Sequence, residues 1–85
     1  MPYRTDFKWI EKFSEYSQEE QKVMLALSHD KFKWRNRDRL ATLTKIDEKE
    51  LDGILAKLIQ KGDIVPSFGK KSRRIIFGLK ERVRD

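Results

Sequence analysis

Residues 67–74 read Ser67-Phe68-Gly69-Lys70-Lys71-Ser72-Arg73-Arg74, which places four cations, two hydroxyls and one aromatic ring within eight positions. Ammonium, guanidinium and hydroxyl groups at that density suit phosphate oxygens, and Phe68 could lie against a sugar or an unstacked base. The plainer reading has Phe68 tucked beneath the loop as core, with the cations solvated. A second basic group, Arg35, Arg37, Arg39 and Lys45, surrounds a short helical stretch. Arg37 is expected on phosphate. Arg35, next to Trp34, is expected in a cation–π contact.

Other chemistry is thinly represented. Ser28-His29-Asp30 has the letters of a catalytic triad, but adjacent side chains do not line up as nucleophile, base and orienter. His29 is the sole histidine and there is no cysteine, so thiolate metal sites and disulfides are excluded. Asp47, Glu48, Glu50 and Asp52 are dense, but they fall where a helix begins, and capping with solvation explains them. Gly69-Lys70-Lys71-Ser72 echoes the end of a P-loop without the upstream glycine. The basic run from Lys70 to Arg74 also resembles a nuclear-localisation cluster. No enzyme and no cofactor are expected.

The elements that must hold these residues follow from local signals. Phe7, Ile10 and Phe13 recur every three residues, predicting a short amphipathic helix over 7–15, with Asp6 as a candidate cap. It either packs on the domain or serves as an arm for a partner chain. Ser17-Gln18-Glu19-Glu20 is a capping box that opens a helix over roughly 18–29, with Val23, Met24 and Leu27 on one face. Lys31-Phe32-Lys33-Trp34-Arg35 alternates as a half-buried strand does, which predicts Phe32 and Trp34 facing the core. Asn36 is an N-cap for a helix over 37–43, where Leu40 and Leu43 share a face. Thr44-Lys45-Ile46 is a turn. Asp47-Glu48-Lys49-Glu50 opens the next helix, whose stripe Leu51, Ile54, Leu55, Leu58 and Ile59 runs to a stop at Gly62. Ile64-Val65 and Ile75-Ile76-Phe77 are strand-like around Pro66 and the basic loop, predicting a hairpin with Ile75, Phe77 and Leu79 facing inward.

Eighty-five residues, 40% charged with a net charge of +6, allow one domain with a small core. The charge is clustered: −2 over residues 1–30, +5 over 31–46, −1 over 47–62 and +4 over 63–85. Such blocks suit a polyanion better than a uniformly basic surface does. No apolar run approaches the ~20 residues that span a bilayer, so no membrane role is expected, and the chain reads as intracellular and cytoplasmic.

Over about 60 of its 85 residues, 17–79, the chain resembles the winged helix-turn-helix superfamily. The resemblance rests on the helix over 37–43, the turn Thr44-Lys45-Ile46, the stripe from Leu51 to Ile59 and the exit Lys61-Gly62-Asp63-Ile64-Val65. That exit is similar to the end of the recognition helix in many bacterial and archaeal regulators. The implied fold is α+β: a three-helix core with a C-terminal β-hairpin wing, preceded by an N-terminal helical arm (1–16) and followed by a charged tail (80–85) that should fray. The resemblance implies a double-stranded DNA-binding transcription regulator or accessory factor, nucleoid-associated in a bacterium or archaeon. In such proteins the second motif helix enters the major groove and the wing touches flanking phosphates. Carried over by position, the outward face of that helix is Glu48, Lys49, Asp52, Gly53, Ala56, Lys57 and Gln60. Lys49, Lys57 and Gln60 are its candidate contacts, beside Arg37, Arg39 and Lys45 from the first motif helix and Phe68, Lys70, Lys71, Arg73 and Arg74 from the wing. Glu48 and Asp52 would repel phosphate. The alternative is a protein-interaction domain that docks this acidic helix on a basic partner. A homodimer through the 7–15 helix is a further expectation.

Overall fold

The computed structural model describes residues 7–29 and 31–83. A 3-10 helix at Lys8–Glu15, interrupted at Lys12, leads into α1 (Gln18–Ala26), β1 (Arg35–Asn36), α2 (Arg37–Thr44) and α3 (Glu48–Lys61). The hairpin β2 (Ile64–Gly69) and β3 (Arg74–Leu79) follows, and a helical turn α4 (Lys80–Val83) closes the described chain. The three strands form one antiparallel sheet in the order β1-β3-β2. The molecule is therefore a small α+β domain of helices followed by a sheet with a C-terminal hairpin.

The helix ends obey the local signals. Ser17 Oγ accepts from Glu20 N at 3.2 Å, and Glu20 Oε1 accepts from Ser17 N at 2.9 Å, the reciprocal capping box. Asn36 Oδ1 accepts from Arg39 N at 2.8 Å, and Asp47 Oδ2 accepts from Lys49 N at 3.1 Å. Gly62 ends α3 at φ +83°, a conformation open to a residue without Cβ. Ile46, in the turn between α2 and α3, is buried in the core.

Val23, Met24, Leu27, Leu40, Leu51, Leu55, Leu58, Ile64, Phe77 and Leu79 form the core. Phe7, Trp9 and Tyr16 join it, so the N-terminal segment is packed into the domain. Trp9 is 2% exposed and its Nε1 donates to Ser28 Oγ at 3.3 Å. Glu81 of α4 accepts from the backbone amides of Lys8 (2.6 Å) and Trp9 (3.1 Å), capping the 3-10 helix from the far end of the chain. Arg82 Nη1 donates to the carbonyls of Leu27 (3.3 Å), His29 (2.5 Å) and Phe32 (3.1 Å). Residues 80–83 are thus a clasp and not a frayed tail.

Several expectations about sides and ends are corrected. The first strand shrinks to Arg35–Asn36, and its parity is reversed: Arg35 is buried while Phe32 is exposed and Trp34 half-buried. Arg35 satisfies its burial by donating from Nε to Ala26 O at 3.2 Å, with its guanidinium 4.7 Å from the Phe32 ring centroid. The cation–π contact exists, but on Phe32 and not Trp34. Trp34 lies on the opposite side of the sheet, where a Cβ built on Gly78 would sit 3.1 Å from its ring and 2.9 Å from Val83. Leu43 is exposed although Leu40 is buried. Pro66 does not end a strand but sits within β2, which is an edge of the sheet and tolerates a missing donor. Ile75 shares parity with Phe77 and Leu79 yet is exposed, because the hairpin outruns the core beneath it. Asp6 and Asp30, candidates for a cap and for the Ser28-His29-Asp30 string, lie outside the described residues.

Candidate nucleic-acid interface

The hairpin register pairs Ile64 with Leu79, Pro66 with Phe77 and Phe68 with Ile75. Directly opposed residues of antiparallel strands point to the same face. Ile64, Leu79 and Phe77 of the first two pairs are buried while Pro66 is exposed, and the third pair overhangs the core, with Phe68 60% and Ile75 58% exposed. Phe68 is not tucked beneath the loop. Beyond it, residues 70–73 form a four-residue loop closed by Arg73 N donating to Gly69 O at 2.7 Å.

Lys70, Lys71 and Arg73 are exposed there, with no ion pair to any described carboxylate. Arg73 sits at φ +55° and Lys45, the C-cap of α2, at φ +59°. These are the two non-glycine residues at positive φ among those described, and both are cations. A left-handed conformation costs a side-chain-bearing residue roughly 1–2 kcal/mol, a cost glycine would avoid.

Among the described residues, the remaining candidate cations divide into those with a carboxylate partner and those without. Arg74 Nη1 lies 2.6 Å from Asp38 Oδ2, which ties the hairpin to α2. Arg37 makes two hydrogen bonds to Asp52 and lies 3.4 Å from Glu48, tying α2 to α3. Arg37, expected on phosphate, already has a carboxylate partner in Asp52. The hydrogen bonds from Arg37 hold the Asp52 carboxyl below its usual range and push the guanidinium higher still. Arg39, Lys45, Lys49, Lys57 and Gln60 are all exposed, the last three on the outward face of α3.

Arg37 and Arg74 line one shallow depression of about 230 Å³, together with Asn36, Asp38 and Ile75. Cations of α2 and of the hairpin therefore share a face, with the Phe68–Ile75 pair beside them. Ile75, Asp38 and the Arg37–Asp52 link are parts of this surface that sequence reasoning missed. Period-two counting along β3 put Ile75 on the correct face, but nothing local showed where the core beneath it ends.

Among the described residues no group of three or more His, Asp or Glu side chains is placed to hold a metal ion, and no helix is long and apolar enough to cross a membrane. Compared with known proteins, the chain matches no family model, no curated sequence and no solved structure.

Proposed function

We propose that this chain is a winged-helix protein that binds double-stranded DNA without catalysis, as a transcriptional regulator or accessory factor, with the β2–β3 hairpin as its wing. The observation that carries the reading is the hairpin loop. Lys70, Lys71 and Arg73 stand there without carboxylate partners among the described residues, and Arg73 holds its place at an unfavourable φ. Cations gathered on a protruding loop are suited to phosphate, and phosphate contact sets both position and affinity. The order α2, short turn, α3, hairpin supports the winged-helix assignment, which would place α3 toward the major groove. Its exposed face carries Lys49, Lys57 and Gln60, few groups with which to read bases. The binding proposed is consequently phosphate-led, of modest sequence preference and strongly salt-dependent.

Fluorescence anisotropy of a 20-base-pair duplex of random sequence, titrated at several salt concentrations, tests this. If the three unpaired hairpin cations carry the contact, the log–log salt slope is roughly −3; recruitment of Arg37 and Arg74 steepens it to roughly −5. Changing Lys70, Lys71 and Arg73 together to Glu should abolish binding and leave the circular dichroism spectrum unchanged. Full retention of affinity by that variant rules out the hairpin as the contact.

A second reading has its own observation. Phe68 and Ile75 form an exposed apolar pair bordered by the Arg37–Asp52 and Arg74–Asp38 ion pairs, a mixture that also suits a protein partner. Absence of duplex binding at low salt would favour it.

A further inference from the structure

We propose that Phe68 and Ile75 form a wedge for an unstacked base, so that the preferred ligand is duplex DNA containing an unpaired or bulged nucleotide. This rests on the DNA-binding reading above and specifies its substrate class. Phe68 and Ile75 face each other across the hairpin, both more than half exposed, on the side that is core two residues further along β3, at Phe77. The pair extends the Phe77 face of β3 into solvent, on the ladder that runs from Gly69–Arg74 to Ile64–Leu79. Within five residues of Phe68 stand Lys70, Lys71 and Arg73, and Ile75 lines the same depression as Arg37 and Arg74.

A ligand complementary to this tip must offer anionic oxygens around a flat apolar surface. Nucleic acid does so, but an intact duplex hides its base faces in the stack and leaves Phe68 only sugar edges. An unpaired base exposes that face at the least cost in unstacking, and the ring of Phe68 with the branched side chain of Ile75 behind it fits one base plane. A lipid surface also places anions over an apolar layer. The size of the tip favours the nucleic acid: one ring and one branched side chain cover a single base plane, whereas membrane binding grows with buried apolar area and this pair offers little.

The test compares two labelled 20-base-pair duplexes, one intact and one with a single bulged 2-aminopurine, bound by the full chain and by its Phe68→Ala and Phe68→Leu variants. Phe68 is at an exposed tip, so both variants should unfold within a few degrees of the parent. The parent should bind the bulged duplex roughly tenfold more tightly than the intact one, with a change in 2-aminopurine fluorescence as the base leaves its neighbours. Phe68→Ala should erase that preference by weakening the bulged duplex roughly tenfold and the intact duplex by much less, and Phe68→Leu should retain part of the preference without the fluorescence change.

Equal affinity for both duplexes overturns the wedge and leaves the DNA-binding reading standing. A preference that survives in Phe68→Ala does the same. Failure to bind either duplex at low salt overturns both. Binding to phosphatidylserine–phosphatidylcholine vesicles with no discrimination between duplexes overturns the wedge and assigns the tip to lipid.

Discussion

Arg37 at the start of α2 holds Asp52 of α3 by two hydrogen bonds, Nε to Oδ1 at 2.5 Å and Nη2 to Oδ2 at 2.9 Å, while its Nη1 lies 3.4 Å from Glu48 Oε1. The two acids that disfavour phosphate and the arginine suited to it thus form one surface unit with an excess negative charge. The pairing reconciles a basic hairpin with an acidic helix start. The acids position α3 on α2, and they compete with any phosphate for Arg37. Converting Glu48 to Gln and Asp52 to Asn should therefore tighten duplex binding about three- to tenfold at low salt and steepen the salt slope by roughly one. An anisotropy titration showing no change in either quantity would mean that this face of α3 does not approach DNA.

Local signals made much of this legible in the sequence. Ser17 with Glu20, Asn36, Asp47 and Gly62 each act on groups within a few positions, and each lies at a helix end as its chemistry requires. What sequence could not supply was the extent of the core and the partners of long side chains. Alternation of Phe32 and Trp34 suggested a buried face, yet Arg35 is the inward residue because the Ala26 carbonyl waits for it across the fold. Ile75 follows the same period as Phe77 but overhangs the domain. Arg37 meets an acid fifteen positions away, and Arg82 meets carbonyls fifty or more positions away, pairings that no spacing rule encodes. The cations of the site were visible as residues, but whether they are held by acids was not.

Lys45 and Arg73 offer a test in which stability and binding separate. Both occupy left-handed backbone positions, and glycine would relieve each of a Cβ contact with its own carbonyl. Lys45→Gly and Arg73→Gly should each raise stability in urea unfolding by about 0.5–1 kcal/mol. Arg73→Gly should weaken duplex binding several-fold. Lys45→Gly should do so only if the end of α2 also touches phosphate. A loss of stability on Arg73→Gly would show that the Arg73 side chain contributes packing at the loop, contrary to its exposure.

Arg82 joins segments fifty or more positions apart. Its Nη1 gathers the carbonyls of Leu27, His29 and Phe32, which hold the connection between α1 and β1, while Glu81 beside it caps the 3-10 helix that carries Trp9. Charge-assisted hydrogen bonds contribute roughly 1.5–3 kcal/mol, and bonds sharing one nitrogen do not add. Arg82→Ala is expected to cost about 2–3 kcal/mol in urea unfolding. Truncation after Leu79 removes the Glu81 cap as well and should expose Trp9, red-shifting tryptophan emission before global unfolding. A truncated chain with unchanged emission and midpoint would show that the clasp is dispensable.

The response to pH follows from groups at three contacts. Hydrogen bonding to Arg37 lowers the Asp52 carboxyl from its ordinary 3.8. Burial pushes the Glu20 carboxyl up, but the Ser17 amide and Lys61 outweigh it, and the net shift is below 4.5. A carboxyl lowered in the folded state binds its proton more readily when unfolded, so its contribution is present above the ordinary value and is lost as pH falls through the folded value. Tyr16 lies at the other extreme: burial, and then the neighbouring Asp63 carboxylate, push its phenol up to about 12. Between its ordinary value of 10.0 and about 12 the unfolded chain is the one that has released the proton, so stability declines with rising pH across that window. Urea midpoints should consequently be flat from about pH 5 to 9, fall below about pH 4.5, and fall again above about pH 10. Asp52→Asn and Glu20→Gln should each make the acid decline shallower, and Tyr16→Phe should do the same for the alkaline one. Carboxyl NMR titration identifies the acid groups directly: an Asp52 signal titrating at or above 3.8 would mean that the link between α2 and α3 does not persist in solution.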